Sequence, residues 1–144
     1  MPLEGIAARA KEPAKKEALP LKKKLKVLVV DDEPLVHEVI QGYLIGDGHT
    51  ADSVMSAAEG LKKIDQNSYD LIITDWAMPQ MNGGEFSAIV KKKFPGMAII
   101  MLTGFGELMK TRGEKLESVN VLLSKPLTMD ELRQAMGGIF SDGR

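Results

Sequence analysis

Hydrophobic residues in this chain are concentrated in short runs, separated by stretches in which apolar residues recur at helical spacing. Four runs are strongly apolar and a fifth is weaker: 26–30, 70–74, 98–102 and 120–123, with 50–54 the weaker one. Continuous runs of this length, rich in Val and Ile, are typical of strands that are buried on both faces. The pattern therefore predicts five strands of a parallel sheet.

The stretches between these runs carry the apolar stripes of amphipathic helices. The clearest stripes fall within 35–44, 57–64, 86–90 and 132–139, and a less regular one within 105–118. Two of them follow capping-box sequences, Ser56-Ala-Ala-Glu59 and Thr128-Met-Asp-Glu131. Strands that alternate with helices predict an α/β fold, a doubly wound five-stranded parallel sheet with helices on both faces.

Composition and charge narrow the possible functions of the 144-residue chain. There is no cysteine, which excludes disulfides, thiolate metal sites and cysteine nucleophiles. The first 24 residues carry a net charge of +4 and the remainder −5. An acidic body is poorly suited to a nucleic-acid duplex, because phosphate contacts need a basic face. We expect residues 1–23 to form a flexible basic leader or linker and 24–144 to form one domain.

Membrane insertion and export are not expected. No apolar stretch approaches the roughly 20 residues that span a bilayer, and the charged N-terminus does not have the form of a secretory signal. These features, together with the absence of cysteine, predict a cytoplasmic protein without membrane contact.

Polar side chains stand directly after four of the five predicted strands: Asp31 and Asp32, then Asp75, Thr103 and Lys125. The carboxyl ends of parallel strands meet at one edge of a sheet, where ligands bind, so these side chains should lie together. Neighbouring carboxylates repel one another and must hold a proton or bind a cation. Oxygen ligands without a nearby His or Cys favour Mg²⁺.

The remaining groups of this cluster suit a phosphoryl group. A lysine ammonium and a threonine hydroxyl can both bind phosphoryl oxygens. A carboxylate can act as the nucleophile, because Asp forms acyl-phosphates. Asp75 is the best candidate for the nucleophile because it stands alone at its strand end, whereas Asp31 and Asp32 form a pair suited to a metal.

These residues, together with the stretch Asp75-Trp-Ala-Met-Pro-Gln-Met-Asn-Gly83 and the pair Lys125–Pro126, resemble the receiver domain of bacterial two-component response regulators. The resemblance extends from about Lys24 to Phe140. It also covers the C-terminal receivers of hybrid histidine kinases. It implies a flavodoxin-like receiver fold and a cis peptide between Lys125 and Pro126.

The resemblance also implies a role for each site residue. Asp75 would be the phospho-acceptor for a histidine kinase or phosphotransfer protein. Asp32 and Asp75 would ligate Mg²⁺ directly, Asp31 largely through water, and Ala77 through its backbone carbonyl. Thr103 and Lys125 would contact the phosphoryl oxygens.

A phospho-acceptor of this kind is a signalling domain and not an enzyme, since its phosphoryl transfer and hydrolysis are directed at itself. Phosphorylation would switch a protein-interaction face toward a downstream effector protein, without an attached output domain and without direct DNA binding. Leu122 departs from the family, which often has Tyr, Phe or His at this position, and puts the output coupling in question. Two alternatives remain: an aspartyl-phosphate phosphatase, which Ala77 disfavours because that class needs a second Asp there, and an interaction module that carries no phosphate.

Three further expectations concern residues near the first helix. His37 falls on the polar face of the first helical stripe and His49 lies in a Gly-His-Thr turn, so both are expected to be exposed and without a role. Asp31 or Asp32 is also expected to cap the helix that begins near Pro34.

Overall fold

A five-stranded parallel sheet forms the centre of the protein, as predicted. The computed structural model describes residues 18–104 and 117–140. The strands are β1 (Lys26–Val30), β2 (Thr50–Val54), β3 (Leu71–Asp75), β4 (Ala98–Thr103) and β5 (Val121–Ser124). Their order in the sheet is β2-β1-β3-β4-β5, and every neighbouring pair is parallel. The weaker apolar run forms the edge strand β2. An edge strand has a neighbour on one side only, and most residues of β2 are accordingly only partly buried.

Four helices surround the sheet in the described part of the chain: α1 (Pro34–Gly46), α2 (Ala57–Gln66), α3 (Gly83–Lys93) and α4 (Met129–Ile139). The less regular helix predicted over 105–118 falls almost entirely on residues outside the described ranges. None of the four helices is long and apolar enough to cross a membrane.

The helix starts follow the predicted capping only in part. Thr128 and Glu131 form a complete capping box at α4. At α2, Ser56 caps the helix, but the Glu59 carboxylate accepts from the backbone N–H of Met55, one residue before the cap. A third box, between Asn82 and Glu85 at the start of α3, was not predicted.

Two hydrophobic cores lie on opposite faces of the sheet. The core under α1 and α4 includes Ile40, Leu44, Leu132 and Met136, and the core under α2 and α3 includes Ile64, Phe86 and Val90. Side chains on β1, β3 and β4 alternate between the two cores, which explains why those strands are apolar throughout. Full burial of each large aliphatic side chain stabilises the fold by roughly 1.5–3 kcal/mol.

The two histidines are buried, and the expectation of exposure was wrong for both. The ring of His37 is 7% exposed and that of His49 is 5% exposed. Each ring binds a backbone group of a neighbouring segment: His37 contacts the carbonyl oxygen of Asp31, and His49 Nδ1 accepts from the N–H of Leu25. Helical periodicity did not reveal these bonds, because each joins the histidine to the segment around β1.

The segment before β1 packs against α4. Leu21 and Leu25 lie in the α1–α4 core. The backbone N–H of Ala18 donates to Asp130 Oδ1 at 2.6 Å, and Arg133 Nη1 donates to the carbonyl oxygen of Ala18 at 3.3 Å. Ala18 and Leu21, which the sequence predicts to lie in a leader, thus contact the domain; residues 1–17 lie outside the described ranges.

Candidate functional site

The carboxyl edge of the sheet brings the predicted site residues together. Carboxylate oxygens of Asp31, Asp32 and Asp75 all lie within 4.8 Å of one another. Asp31 and Asp75 are buried, whereas Asp32 is exposed and faces solvent at the mouth of the site. Residues that are far apart in sequence converge because β1 and β3 are neighbours in the sheet and end at the same level.

Lys125 is the cation of this cluster. Its Nζ lies 3.0 Å from Asp75 Oδ1, 3.2 Å from Asp31 Oδ2 and 3.0 Å from Glu33 Oε1. Burial by itself would lower the pKa of Lys125, but the hydrogen bonds and charges of these carboxylates raise it above its usual value. The ammonium therefore stays protonated. The contact with Glu33 was not predicted, although its place directly after Asp32 was a signal.

Asp31 is fixed by the backbone around it. Its Oδ1 accepts from the N–H of Glu33 at 2.9 Å, and its own N–H donates to the carbonyl oxygen of Val54 on β2 at 3.2 Å. Burial raises the pKa of Asp31, while the Glu33 N–H and the Lys125 ammonium act in the opposite direction. The N-cap of α1 is Glu33, with no side-chain cap, so the predicted cap by Asp31 or Asp32 was wrong. Asp31 instead binds the N–H of the cap residue.

Thr103 is fully buried at the end of β4, opposite Ser124 of β5. Its carbonyl oxygen accepts from the backbone N–H of Lys125 at 2.8 Å, which ties the two strand ends together. Its Oγ1 has no hydrogen-bond partner among the described residues. A buried hydroxyl without a partner costs about 1–3 kcal/mol, which is typical of a group kept for a ligand.

The loop after β3 closes tightly behind Asp75. The N–H of Trp76 donates to the carbonyl oxygen of Leu102 at 2.8 Å, and the N–H of Gly83 donates to that of Trp76 at 2.8 Å. A Cβ on Gly83 would collide with the carbonyl oxygen of Asp75, so this position needs glycine. Ala77 is exposed in this loop, and a metal contact of its carbonyl stays a prediction.

Two other expectations concern β5 and the turn after it. The Lys125–Pro126 peptide is cis, as predicted. Leu122 is half-buried on β5, where it pairs with Met101 of β4. Its side chain offers no hydroxyl or ring nitrogen, and its part in output coupling stays open.

The chemistry of the cluster fits a hard divalent cation. Three carboxylates converge, and one ammonium, shared with Glu33, balances only part of their charge. The anionic donors of this cluster are carboxylate oxygens. Such ligands suit a hard ion such as Mg²⁺ better than a metal ion that prefers thiolate or imidazole ligands. The acidic cluster of Asp31, Asp32 and Asp75 could therefore hold a metal.

Comparisons with known proteins find relatives of this chain. The sequence profile of the response regulator receiver domain matches residues 27–137. The chemotaxis protein CheY homologue of Campylobacter jejuni is 33% identical over 125 residues, which cover 83% of this chain and 95% of that protein. The transcriptional regulatory protein GlrR of Escherichia coli is 33% identical over 110 residues, which cover 76% of this chain but only 25% of GlrR. The chain thus spans about a quarter of GlrR.

A solved structure shows the same fold. The crystal structure of the response regulator protein TrrA from Thermotoga maritima, in complex with Mg²⁺–BeF, superposes with a TM-score of 0.73. The two sequences are 30% identical, and the match covers 81% of this chain and 99% of TrrA. The fold is thus that of a known architecture.

Proposed function

We propose, because this chain belongs to the response regulator receiver domain family, that Asp75 accepts a phosphoryl group in a Mg²⁺-dependent step. The family acts in phosphorylation-mediated signalling. The donor would be the phosphohistidine of a histidine kinase or of a phosphotransfer protein. The observation that carries the proposal is the convergence of three carboxylates, Lys125 and the Thr103 hydroxyl at one sheet edge; that hydroxyl has no hydrogen-bond partner among the described residues.

The transfer step follows from the position of Asp75. A carboxylate oxygen of Asp75 forms a bond to phosphorus while the bond between phosphorus and the imidazole nitrogen breaks. The electron pair of that bond stays on the imidazole nitrogen that held phosphorus. The imidazole leaves as a neutral ring when its other nitrogen carries a proton; otherwise the leaving nitrogen takes up one proton from solvent. Because little covalent chemistry is asked of the protein, catalysis rests on positioning and charge neutralisation.

Mg²⁺ would be held by Asp32 and Asp75 directly, by Asp31 largely through water, and by the backbone carbonyl of Ala77. The proximity of the three carboxylates supports their part in this ligand set, and the Mg²⁺–BeF complex of TrrA supports Mg²⁺ as the ion. When bound, the ion neutralises charge on the phosphoryl oxygens. The exposed Asp32 lies on the side of the site from which both the ion and the donor would enter.

Thr103 and Lys125 would receive the other phosphoryl oxygens. The Thr103 hydroxyl is buried beside the acceptor strand and has a hydrogen bond to give. The Lys125 ammonium contacts the Asp75 carboxylate before phosphorylation. It would pair with a phosphoryl oxygen afterwards. Phosphorylation adds nearly two negative charges at this edge, and we propose that the resulting shift changes the face presented to a downstream effector protein.

Intact-mass spectrometry tests the proposal. The native chain is incubated with acetyl phosphate and Mg²⁺; we expect one acid-stable, alkali-labile phosphoryl adduct, which chelation of Mg²⁺ with EDTA prevents. Asp75→Asn should abolish the adduct.

The matched control is Asp70→Asn. Asp70 lies just before β3, at the opposite end of the same strand, where its carboxylate accepts from the N–H of Lys26. This variant should be labelled like the native chain. An adduct that persists in Asp75→Asn would contradict the proposal, and sustained hydrolysis of simple phosphomonoesters by the native chain would favour the phosphatase alternative.

A further inference from the structure

His37 is a buried polar residue that the proposed transfer step does not use. It lies in the first turn of α1, six residues after Asp31, and its Nε2 lies 2.5 Å from the carbonyl oxygen of Asp31. A carbonyl oxygen can only accept a hydrogen bond, so Nε2 must carry the proton. The other ring nitrogen, Nδ1, is buried without a hydrogen-bond partner in the described part of the chain.

The bond from His37 holds the peptide that joins two of the proposed metal ligands. The carbonyl group of Asp31 and the N–H of Asp32 belong to one planar unit, so fixing this carbonyl fixes the direction in which the chain enters Asp32. Asp32 is the exposed member of the acidic cluster, and among the described residues no hydrogen bond holds its side chain.

The rest of Asp31 is held independently of His37. The Asp31 N–H is bound to Val54 and Oδ1 is bound to the N–H of Glu33, which leaves Oδ2 directed toward Lys125. None of these bonds is made by the carbonyl oxygen of Asp31. The His37 bond is the one that holds this carbonyl oxygen.

We propose that His37 is a positioning residue for the metal site, which aims Asp32 by donating a hydrogen bond to the carbonyl oxygen of Asp31. The inference rests on the proposed function, because it takes Asp32 as a Mg²⁺ ligand. Outer groups that orient metal ligands typically change metal affinity by 10–100-fold when they are removed. The His37 ring does not have to touch the ion to have this effect.

Mg²⁺ binding by the full chain, without any phosphoryl donor, tests the inference. Trp76 is the only tryptophan and follows Asp75 directly, so its fluorescence reports on the site. We expect His37→Met, which keeps the volume and removes the donor, to raise the Kd for Mg²⁺ at least about tenfold. His37→Gln, which places an amide N–H at a similar reach, should stay within about threefold of the native value.

The other buried histidine provides the matched control. His49 also binds a backbone group, the N–H of Leu25, but at the opposite end of β1 from the site. His49→Met should lower the resistance to urea and leave the Kd for Mg²⁺ within about twofold. If His37 were only structural, both Met variants would lose stability and neither would lose Mg²⁺ affinity, and that result would overturn the inference.

Three further outcomes bear on the positioning role of His37. If His37→Met does not fold, His37→Gln and His37→Asn decide, because only the longer amide reaches the Asp31 carbonyl; equal Mg²⁺ affinity of these two variants would overturn the inference. If the native chain binds no Mg²⁺, both the Mg²⁺ site of the proposed function and the positioning role of His37 are wrong. Mg²⁺ binding by the native chain with an unchanged Kd in a folded His37→Met overturns the positioning role alone.

Discussion

At the scale of single residues, the site holds more negative charge than its cation can balance. Lys125 contacts three carboxylates, two of which are buried. Burial raises the pKa of Asp31 in the folded protein, so ionisation of Asp31 at neutral pH opposes folding. A group that costs stability and is nevertheless kept in a buried site is typical of function, because an ion with two charges can offset the repulsion.

Replacing Asp31 should therefore weaken Mg²⁺ binding and raise the free energy of unfolding. The folded-state pKa of Asp31 is raised, so the stability that its protonated form contributes at low pH is lost as the pH rises through that pKa. At neutral pH without Mg²⁺, the free energy of unfolding of Asp31→Asn should exceed that of the native chain by about 0.5–2 kcal/mol.

Urea unfolding with and without Mg²⁺ checks this prediction. Mg²⁺ should stabilise the native chain and have little effect on Asp31→Asn. The control, Asp70→Asn, changes a carboxylate at the other edge of the sheet and should respond to Mg²⁺ like the native chain. A less stable Asp31→Asn in the absence of Mg²⁺ would show that its burial cost is offset within the protein.

At the scale of elements, the segment from β3 to α3 sets the back wall of the site. Gly83 opens α3 and donates its N–H to the carbonyl oxygen of Trp76. The start of the helix thereby passes directly against the backbone of Asp75, where a side chain does not fit. The Asn82–Glu85 capping box fixes the same helix start.

Gly83→Ala should strain this contact. We expect a loss of about 1–3 kcal/mol in the free energy of unfolding, as for other overpacked sites, together with slower labelling by acetyl phosphate. The control is Gly42→Ala in the middle of α1, where a Cβ meets nothing within 4 Å. There alanine should stabilise the helix by about 0.5–1 kcal/mol. Both changes in the free energy of unfolding are measured with urea. Equal changes for the two substitutions would contradict this prediction, because they would show that the loop moves to accommodate the added Cβ.

At the scale of the whole molecule, one ion pair ties three distant segments together. Arg133 of α4 binds Asp47, which follows α1, through two hydrogen bonds of 2.8 and 2.7 Å, and also binds Ala18 ahead of β1. The bond to Arg133 lowers the pKa of Asp47, against the opposite effect of burial. The α1–α4 side of the sheet is thus held by this clamp as well as by its core.

The clamp predicts a pH-dependent coupling. Because the folded-state pKa of Asp47 lies below its ordinary 3.8, its contribution is complete above that value and is lost as the pH falls through the lower folded one. A double-mutant cycle of Asp47→Asn and Arg133→Met should give a coupling of about 1–2 kcal/mol near neutral pH. Urea unfolding should show the coupling shrinking as the pH falls below the ordinary aspartate pKa, and a coupling that does not change with pH would contradict the assignment.

The sequence allowed the sheet and the main site residues to be predicted because both follow from short-range patterns. Runs such as 71–73 are apolar on both faces, and parallel topology alone carries Asp75 to the edge where β1 ends and Asp31 follows. The burial of His37, the contact of Glu33 with Lys125 and the clamp at Arg133 were missed. The contacts of Glu33 and Arg133 join segments that are far apart in sequence, and His37 is buried where it binds the carbonyl oxygen of Asp31 in the loop before α1. Contacts of this kind leave no periodic signal.

Asp75 is the proposed phospho-acceptor, and chemical reduction of the phosphorylated chain marks the residue that carries the phosphoryl group. The chain is phosphorylated with acetyl phosphate and Mg²⁺, reduced with borohydride, and digested, since reduction converts an aspartyl phosphate into homoserine at the modified position. Sequencing of the peptides by tandem mass spectrometry should show homoserine at position 75 and aspartate at positions 31 and 32. Homoserine at another position, with unmodified aspartate at 75, would contradict the account.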